Sequence, residues 1–79
     1  MSSIRIEGEL YLSLETVAEV YAVEVVWLRE VCAAGLLAAR PHAQHDLCIA
    51  AIELDRVARI VRLNVALGLD LDSVAALLD

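Results

Sequence analysis

Several residue types are scarce in this chain of 79 residues, and each scarcity narrows what the protein can do. There is no Phe and no Lys, and there are only one Trp, two Tyr, one Pro and three Gly. Arg supplies all six basic side chains against twelve acidic ones, so the formal net charge is −6. That balance opposes non-specific binding to nucleic acid or to anionic membranes.

Catalytic and metal-binding patterns are also missing. There is no Gly-rich phosphate loop and no nucleophile paired with a base, so we expect neither an enzyme nor a cofactor. His42, His45, Asp46 and Cys48 offer metal-ligating atoms, but they lack the paired spacings of a zinc site, which favours a solvated loop over a metal centre. Cys32 has no nearby basic cluster, so an inert thiol is the expectation there too.

Export and membrane signals are absent as well. The opening MSSIRIEGE has no apolar core of a signal peptide, and no run approaches the roughly 18 apolar residues of a membrane span. Two cysteines without an export signal indicate free thiols, so we expect a cytoplasmic protein with no membrane partner.

Apolar residues, by contrast, are abundant. They make up 61% of the chain, against about 45–50% in an average soluble protein. A chain this small cannot bury that much apolar surface, so we expect an exposed apolar patch used by a partner or by a homo-oligomer. The alternative is that many Ala residues inflate the count and lie on the surface.

Residues 10–37 show two short amphipathic patterns around a break near Ala22-Val23, which is typical of a helix-turn-helix. Ser13 is a natural N-cap for the first helix, and Gly35 is suited to end the second. The predicted apolar stripes are Leu14, Val17, Ala18 and Tyr21, then Trp27, Leu28 and Val31.

The flanking segments complete the predicted fold. Residues 1–9 alternate as a strand or an extended arm ending at Gly8, and residues 38–54 predict a hairpin wing around Pro41, although their Ala residues equally suit a helix. Residues 55–79 predict two helices, capped by Asp55 and Asp70. The expected fold is a single, mainly α domain with about four helices and a small β wing.

This order of elements resembles the MerR-like winged helix-turn-helix, and more closely its CbpM/DafA-type chaperone-modulator branch. The resemblance is carried by Val23, Leu28, Gly35-Leu36-Leu37, Arg59, Val61-Arg62-Leu63, Leu67-Gly68-Leu69-Asp70 and Val74-Ala75. Ala22 departs from the pattern, because that turn position usually holds Gly. So does Glu24, because the second helix usually begins with a Ser or Thr cap.

The resemblance implies a small adaptor that binds the J-domain of a DnaJ- or CbpA-type co-chaperone and modulates its work with the Hsp70 chaperone DnaK. In DafA-type members DnaK itself joins the complex. Because J-domains resemble one another in a basic helix, we expect an acidic, partly apolar face of the helix-turn-helix to bind it. The candidate binding residues are Val25, Val26, Arg29, Glu30, Glu15, Glu19 and Glu24.

The alternative function is that of a MerR-like DNA-binding transcriptional regulator. A DNA-reading second helix presents polar and basic side chains to the major groove, whereas this one presents Val25, Val26 and Glu30 beside Arg29. DNA is therefore the less favoured partner. Arg56, Arg59 and Arg62 form a possible secondary ion-pairing strip on the third helix, with a solvated edge as the alternative.

Overall fold

A computed structural model describes residues 3–78 of the chain, and its central element is a four-stranded antiparallel sheet in the order β1-β2-β4-β3. The strands are β1 (Ile4–Ile6), β2 (Glu9–Ser13), β3 (Ala39–His42) and β4 (His45–Ala50). The α-helices are α1 (Leu14–Tyr21), α2 (Val25–Ala33), α3 (Leu54–Ile60) and α4 (Leu71–Leu78). A 3₁₀ turn, Ala51–Glu53, precedes α3, and a π-helical segment, Val61–Ala66, follows it.

The expectation of a mainly α fold with a small wing is wrong, because the N-terminal residues extend the wing into this larger sheet. Glu7 and Gly8 both have positive φ, 51° and 84°, as a two-residue type I′ hairpin turn requires. The turn folds β2 back onto β1, and β2 then pairs with β4 from Tyr11↔Ala50 to Ser13↔Cys48. Leu10–Leu12, which the sequence placed in the helix-turn-helix range, therefore lie in a strand.

Both predicted caps on α1 and α4 are confirmed. The backbone N–H of Thr16 donates to Ser13 Oγ at 3.2 Å, and that of Ser73 donates to Asp70 Oδ1 at 2.8 Å. The predicted Asp55 cap is wrong, because the 3₁₀ turn carries the chain into α3 earlier. Glu53 holds the N-cap position without a side-chain capping bond, and Asp55 lies in the first turn.

One core joins the sheet to all four α-helices. Leu12 and Ile49 supply it from the sheet, Leu14 and Val17 from α1, and Leu28 from α2. The remaining side chains of this core are Ala18, Val31, Leu36, Leu37, Val57, Ile60 and Val74. Its members on α1 and α2 include most of the predicted apolar stripes, so the core fixes how the two helices meet.

Arg40 lies on the outer face of the sheet and contacts both hairpins. Its guanidinium lies 5.5 Å from the Tyr11 ring centroid, and its Nη1 is 3.4 Å from Glu7 Oε2. Beneath it, the buried Cys48 thiol donates to the Arg40 carbonyl at 3.4 Å. Arg40 thereby ties the wing hairpin to the N-terminal hairpin across β4.

Candidate functional site

The turn between α1 and α2 is built on a left-handed residue. Ala22 has φ 55° and ψ 45°, and its backbone N–H donates to the carbonyls of Ala18 and Glu19. The N–H of Val23 also donates to the Ala18 carbonyl, at 3.0 Å. These bonds close the end of α1 and turn the chain sharply, so that Glu19 and Glu24 lie on either side of the turn.

Two predicted acidic residues, Glu19 and Glu24, lie at this turn with their side chains exposed, and Glu15 is exposed at the other end of α1. Glu15 and Glu19 are one helical turn apart on α1, and Glu24 occupies the N-cap position of α2 without making a side-chain cap bond. Within residues 3–78, none of the three makes an ion pair. Their charges are therefore unneutralised, and they give this end of the molecule a negative field.

An apolar cleft of about 260 Å³, here called the turn cleft, opens beside Glu24. Its walls are Ala22 and Val23 from the turn, Trp27 from α2, and Val65 from the π-helical segment. Val65 is 55% exposed. The structure thus places an apolar depression next to an unneutralised carboxylate.

Asn64 holds the two sides of the turn cleft together. Its Oδ1 accepts from Trp27 Nε1 at 2.7 Å, and its Nδ2 donates to the Leu69 carbonyl at 2.7 Å. Both polar ends of the amide are satisfied, so Trp27 is fixed against the C-terminal helices. The sequence suggested Trp27 as a partly buried anchor, and the structure makes it a wall of the cleft as well.

The predicted apolar residues of α2 lie in different environments. Val26, two residues after Glu24, is 62% exposed, whereas Val25 is half-buried and packs against the core. On α1, Val20 is 45% exposed and adds a second apolar side chain to this surface. Val26 and Val20 are therefore accessible to a partner, and Val25 contributes chiefly to packing.

Arg29 is engaged with the wing hairpin. Its Nε donates to Asp46 Oδ2 at 2.6 Å, and both side chains are about half exposed. Glu30, one residue later, is exposed. The ion pair cancels the positive charge of α2, so the outer face of the second helix is more acidic than its sequence indicates.

The predicted Arg strip is divided by the structure. Arg56 is half-buried, and its Nε donates to the Leu36 carbonyl at 2.6 Å, which ties α3 to the segment after α2. Arg59 and Arg62 are exposed and line a different cleft with Leu63 and Leu77. Arg56 therefore turns inward, and the ion-pairing strip stays a prediction of which only Arg59 and Arg62 are exposed.

A groove of about 620 Å³ lies between α2 and the wing, with Arg29 and Asp46 among its lining residues. Cys32 also lines it, and burial raises the pKa of that thiol, as it does for Cys48. A raised pKa lowers the thiolate fraction at neutral pH, so neither cysteine is activated as a nucleophile.

Sequence reasoning missed three contributors to this surface: Val20, Asn64 and Val65 as a cleft wall. Val20 falls outside the apolar stripe of α1, and an apolar residue outside a stripe is a signal for exposure. Asn64 is the one amide in the apolar run IVRLNVALGL, where a buried polar group needs a partner. No signal in the sequence indicated that Val65 would face Trp27.

The described residues show neither a metal-binding cluster nor a membrane-spanning helix. Across residues 3–78, no cluster of three or more His, Cys, Asp or Glu side chains is arranged to hold a metal ion. None of the helices in this range combines the length and apolarity needed to cross a membrane. In comparisons with known proteins, the chain matches no family model, no curated protein and no solved structure.

Proposed function

We propose that this protein is an adaptor that binds the J-domain of a DnaJ-type co-chaperone through the surface around the turn between α1 and α2. The observation that supports the proposal is the unneutralised Glu24 carboxylate at the rim of the apolar turn cleft. A basic helix with an apolar side chain among its charges complements such a surface. The resemblance to chaperone modulators implies that the partner is a J-domain, which carries a helix of that kind.

The surface divides into parts with different expected effects on binding. Glu15, Glu19 and Glu24 attract a basic partner at a distance, so they mainly govern the association rate. Val26 and the walls of the turn cleft exclude water once the complex has formed, so they mainly govern dissociation. Arg29 is already paired with Asp46 and contributes little to either.

The apolar part is tested with Val26→Asp against the J-domain of a DnaJ-type co-chaperone. Loss of an interfacial apolar anchor is expected to cost on the order of 1–3 kcal/mol, seen as faster dissociation at any salt concentration. Ile52→Asp is the matched control, because Ile52 is 87% exposed in the 3₁₀ turn, outside the helix-turn-helix. Equal binding by the wild type and a folded Val26→Asp variant would show that the site is misassigned.

The charged part is tested with Glu19→Lys combined with Glu24→Lys. Association should slow at low salt, and the difference from the wild type should shrink as salt screens the charges. Glu9→Lys with Asp72→Lys changes the net charge equally at other exposed positions and should have a smaller effect. If the wild type binds duplex DNA at physiological salt and no J-domain, the adaptor function is wrong and the regulator function takes its place.

A further inference from the structure

Arg59 and Arg62 stand apart from the other arginines of this acidic chain. Arg5 donates to the Gly8 carbonyl and Arg56 to the Leu36 carbonyl. Arg29 and Arg40 form ion pairs with Asp46 and Glu7. Among residues 3–78, by contrast, the side chains of Arg59 and Arg62 make no hydrogen bond or ion pair.

The guanidinium groups of Arg59 and Arg62 lie at one cleft. Arg62 follows Arg59 by three positions, from the end of α3 into the π-helical segment, and both side chains line the same cleft. With Leu63 and Leu77 they line a shallow cleft of about 300 Å³ between the third helix and α4. Leu77 is 56% exposed, so the floor of this cleft, here called the arginine cleft, is apolar and accessible.

We propose that the arginine cleft binds an acidic segment of another protein that carries an apolar side chain. Guanidinium groups bind carboxylates through paired N–H donors, and Leu63 and Leu77 offer burial to an apolar side chain between those carboxylates. This site is distinct from the turn cleft, and it attracts a partner of the opposite charge. It depends on neither the J-domain nor the adaptor function.

Other occupants fit these observations less well. Nucleic acid needs a larger basic surface, whereas this chain carries a net charge of −6, and the cleft holds two arginines beside two leucines. A second copy of the chain would bring a further −6 of charge. A short acidic segment meets mainly the nearby arginines, because physiological salt screens charges beyond about 8 Å.

The probe is a short capped peptide with a central leucine flanked by glutamates, titrated into the ¹⁵N-labelled protein and followed by NMR. Saturable shifts are expected at the amides of Arg59, Arg62, Leu63 and Leu77, with a Kd of about a millimolar or tighter. A peptide with serine in place of the leucine should bind more weakly. A peptide with lysines in place of the glutamates should leave these amides unchanged.

The decisive variant is Arg59→Gln with Arg62→Gln, which removes two exposed charges that make no bond within residues 3–78 and should spare the fold. Its affinity for the glutamate–leucine peptide should be about fivefold lower or weaker still. Arg5→Gln with Arg40→Gln makes the same change in net charge on the sheet, and it should bind as the wild type does. Circular dichroism and melting curves check that both variants are folded.

Three results would overturn the proposal. One is the absence of shifts at the arginine cleft, or shifts only at other sites. Another is equal peptide affinity in the wild type and the folded Arg59→Gln/Arg62→Gln variant. The third is a dilution series in which these amides shift without peptide, because a second copy of the chain would then occupy the cleft. J-domain binding by the same variants is scored separately, so the two sites can fail independently.

Discussion

At the scale of single residues, Ala22 is under conformational strain that glycine would relieve. A left-handed backbone brings Cβ too close to the following carbonyl, at a cost of roughly 1–2 kcal/mol, whereas glycine adopts it freely. Since φ at Ala22 is 55°, we expect Ala22→Gly to raise the free energy of unfolding by about 0.5–1 kcal/mol. Urea unfolding followed by Trp27 fluorescence measures this.

Ala34 is the matched control for Ala22. It is also exposed and also follows the last residue of a helix, but its φ of −77° and ψ of −3° are ordinary for alanine. Ala34→Gly should therefore leave stability unchanged or lower it, because glycine gains nothing there and loses more entropy on folding. If both variants changed stability in the same direction, the left-handed strain at Ala22 would not be the cause.

Asn64 is the second residue whose substitution should have a large effect. Asn64→Ala leaves Trp27 Nε1–H and the Leu69 carbonyl without the partners they have at 2.7 Å, which should cost about 1–3 kcal/mol of unfolding free energy. Asn64→Asp keeps the acceptor for Trp27 but sets a carboxylate oxygen against the Leu69 carbonyl oxygen, so at neutral pH it should be at least as damaging as Asn64→Ala. Chemical denaturation of both variants measures the two losses, and wild-type stability in Asn64→Ala would contradict the structural role of this amide.

At the scale of elements, the sequence predicted helices better than it predicted the sheet. The stripe from Leu14 to Tyr21 spans two turns of one helix, and Ser13 and Asp70 cap their helices through local bonds. Such signals lie within a few neighbouring residues. The strand Glu9–Ser13 depends instead on Ile49 and Ala50, far along the chain, and local alternation at Leu10–Leu12 is too short to indicate it.

The third helix shows a different limit. In the sequence, Val57, Ile60 and Leu67 have the spacing of one apolar helix stripe; Val57 and Ile60 are buried, but Leu67 is 64% exposed. The reason is the π-helical segment Val61–Ala66, in which the N–H of Leu67 bonds to the Arg62 carbonyl, five residues earlier. Wider turns shift the phase of the side chains. The shift also brings Val65 to the turn cleft, which explains why that wall was not foreseen.

The N-terminus of α4 gives a prediction for stability in acid. The backbone N–H of Ser73 holds the pKa of Asp70 below its ordinary value of 3.8. The lowered pKa in the folded state means that ionised Asp70 stabilises the protein above pH 3.8, and that this contribution is lost as the pH falls below it. Asp70→Asn should therefore show a smaller loss of stability over this acidic range. An unchanged pH profile would indicate that the cap does not form in solution.

At the scale of the whole molecule, apolar exposure predicts self-association or dependence on a partner. Three large apolar side chains are more than half exposed: Val26 on α2, Leu67 just after the π-helical segment, and Leu77 on α4. We expect sedimentation to show a mass above the 8.6 kDa monomer at high concentration, or an apolar dye to bind. Glutamine at these three positions should reduce either signal. A monomer that binds no dye would contradict the prediction.

Charge is also distributed unevenly over the whole molecule. Acidic side chains dominate around the turn between α1 and α2. The two arginine side chains that make no bond within residues 3–78, Arg59 and Arg62, lie at the end of α3 and in the π-helical segment. Composition predicted the acidic balance, and it suggested Arg56, Arg59 and Arg62 as one group. It did not indicate which arginines bond to the Leu36 carbonyl or pair with Asp46 and Glu7, because those contacts depend on tertiary folding.

The pairing of β2 with β4 has a consequence for biosynthesis. The helix-turn-helix lies between these two strands in the chain, so β2 cannot pair with β4 while the ribosome is still translating β4. Until Ala50 has left the exit tunnel, the nascent chain exposes the open edge of β2 together with Leu12 and Leu14, which are buried in the finished fold. A released chain that ends at Leu37 lacks β4, so it leaves the edge of β2 and the side chains of Leu12 and Leu14 uncovered and should be a substrate for aggregation or for chaperones.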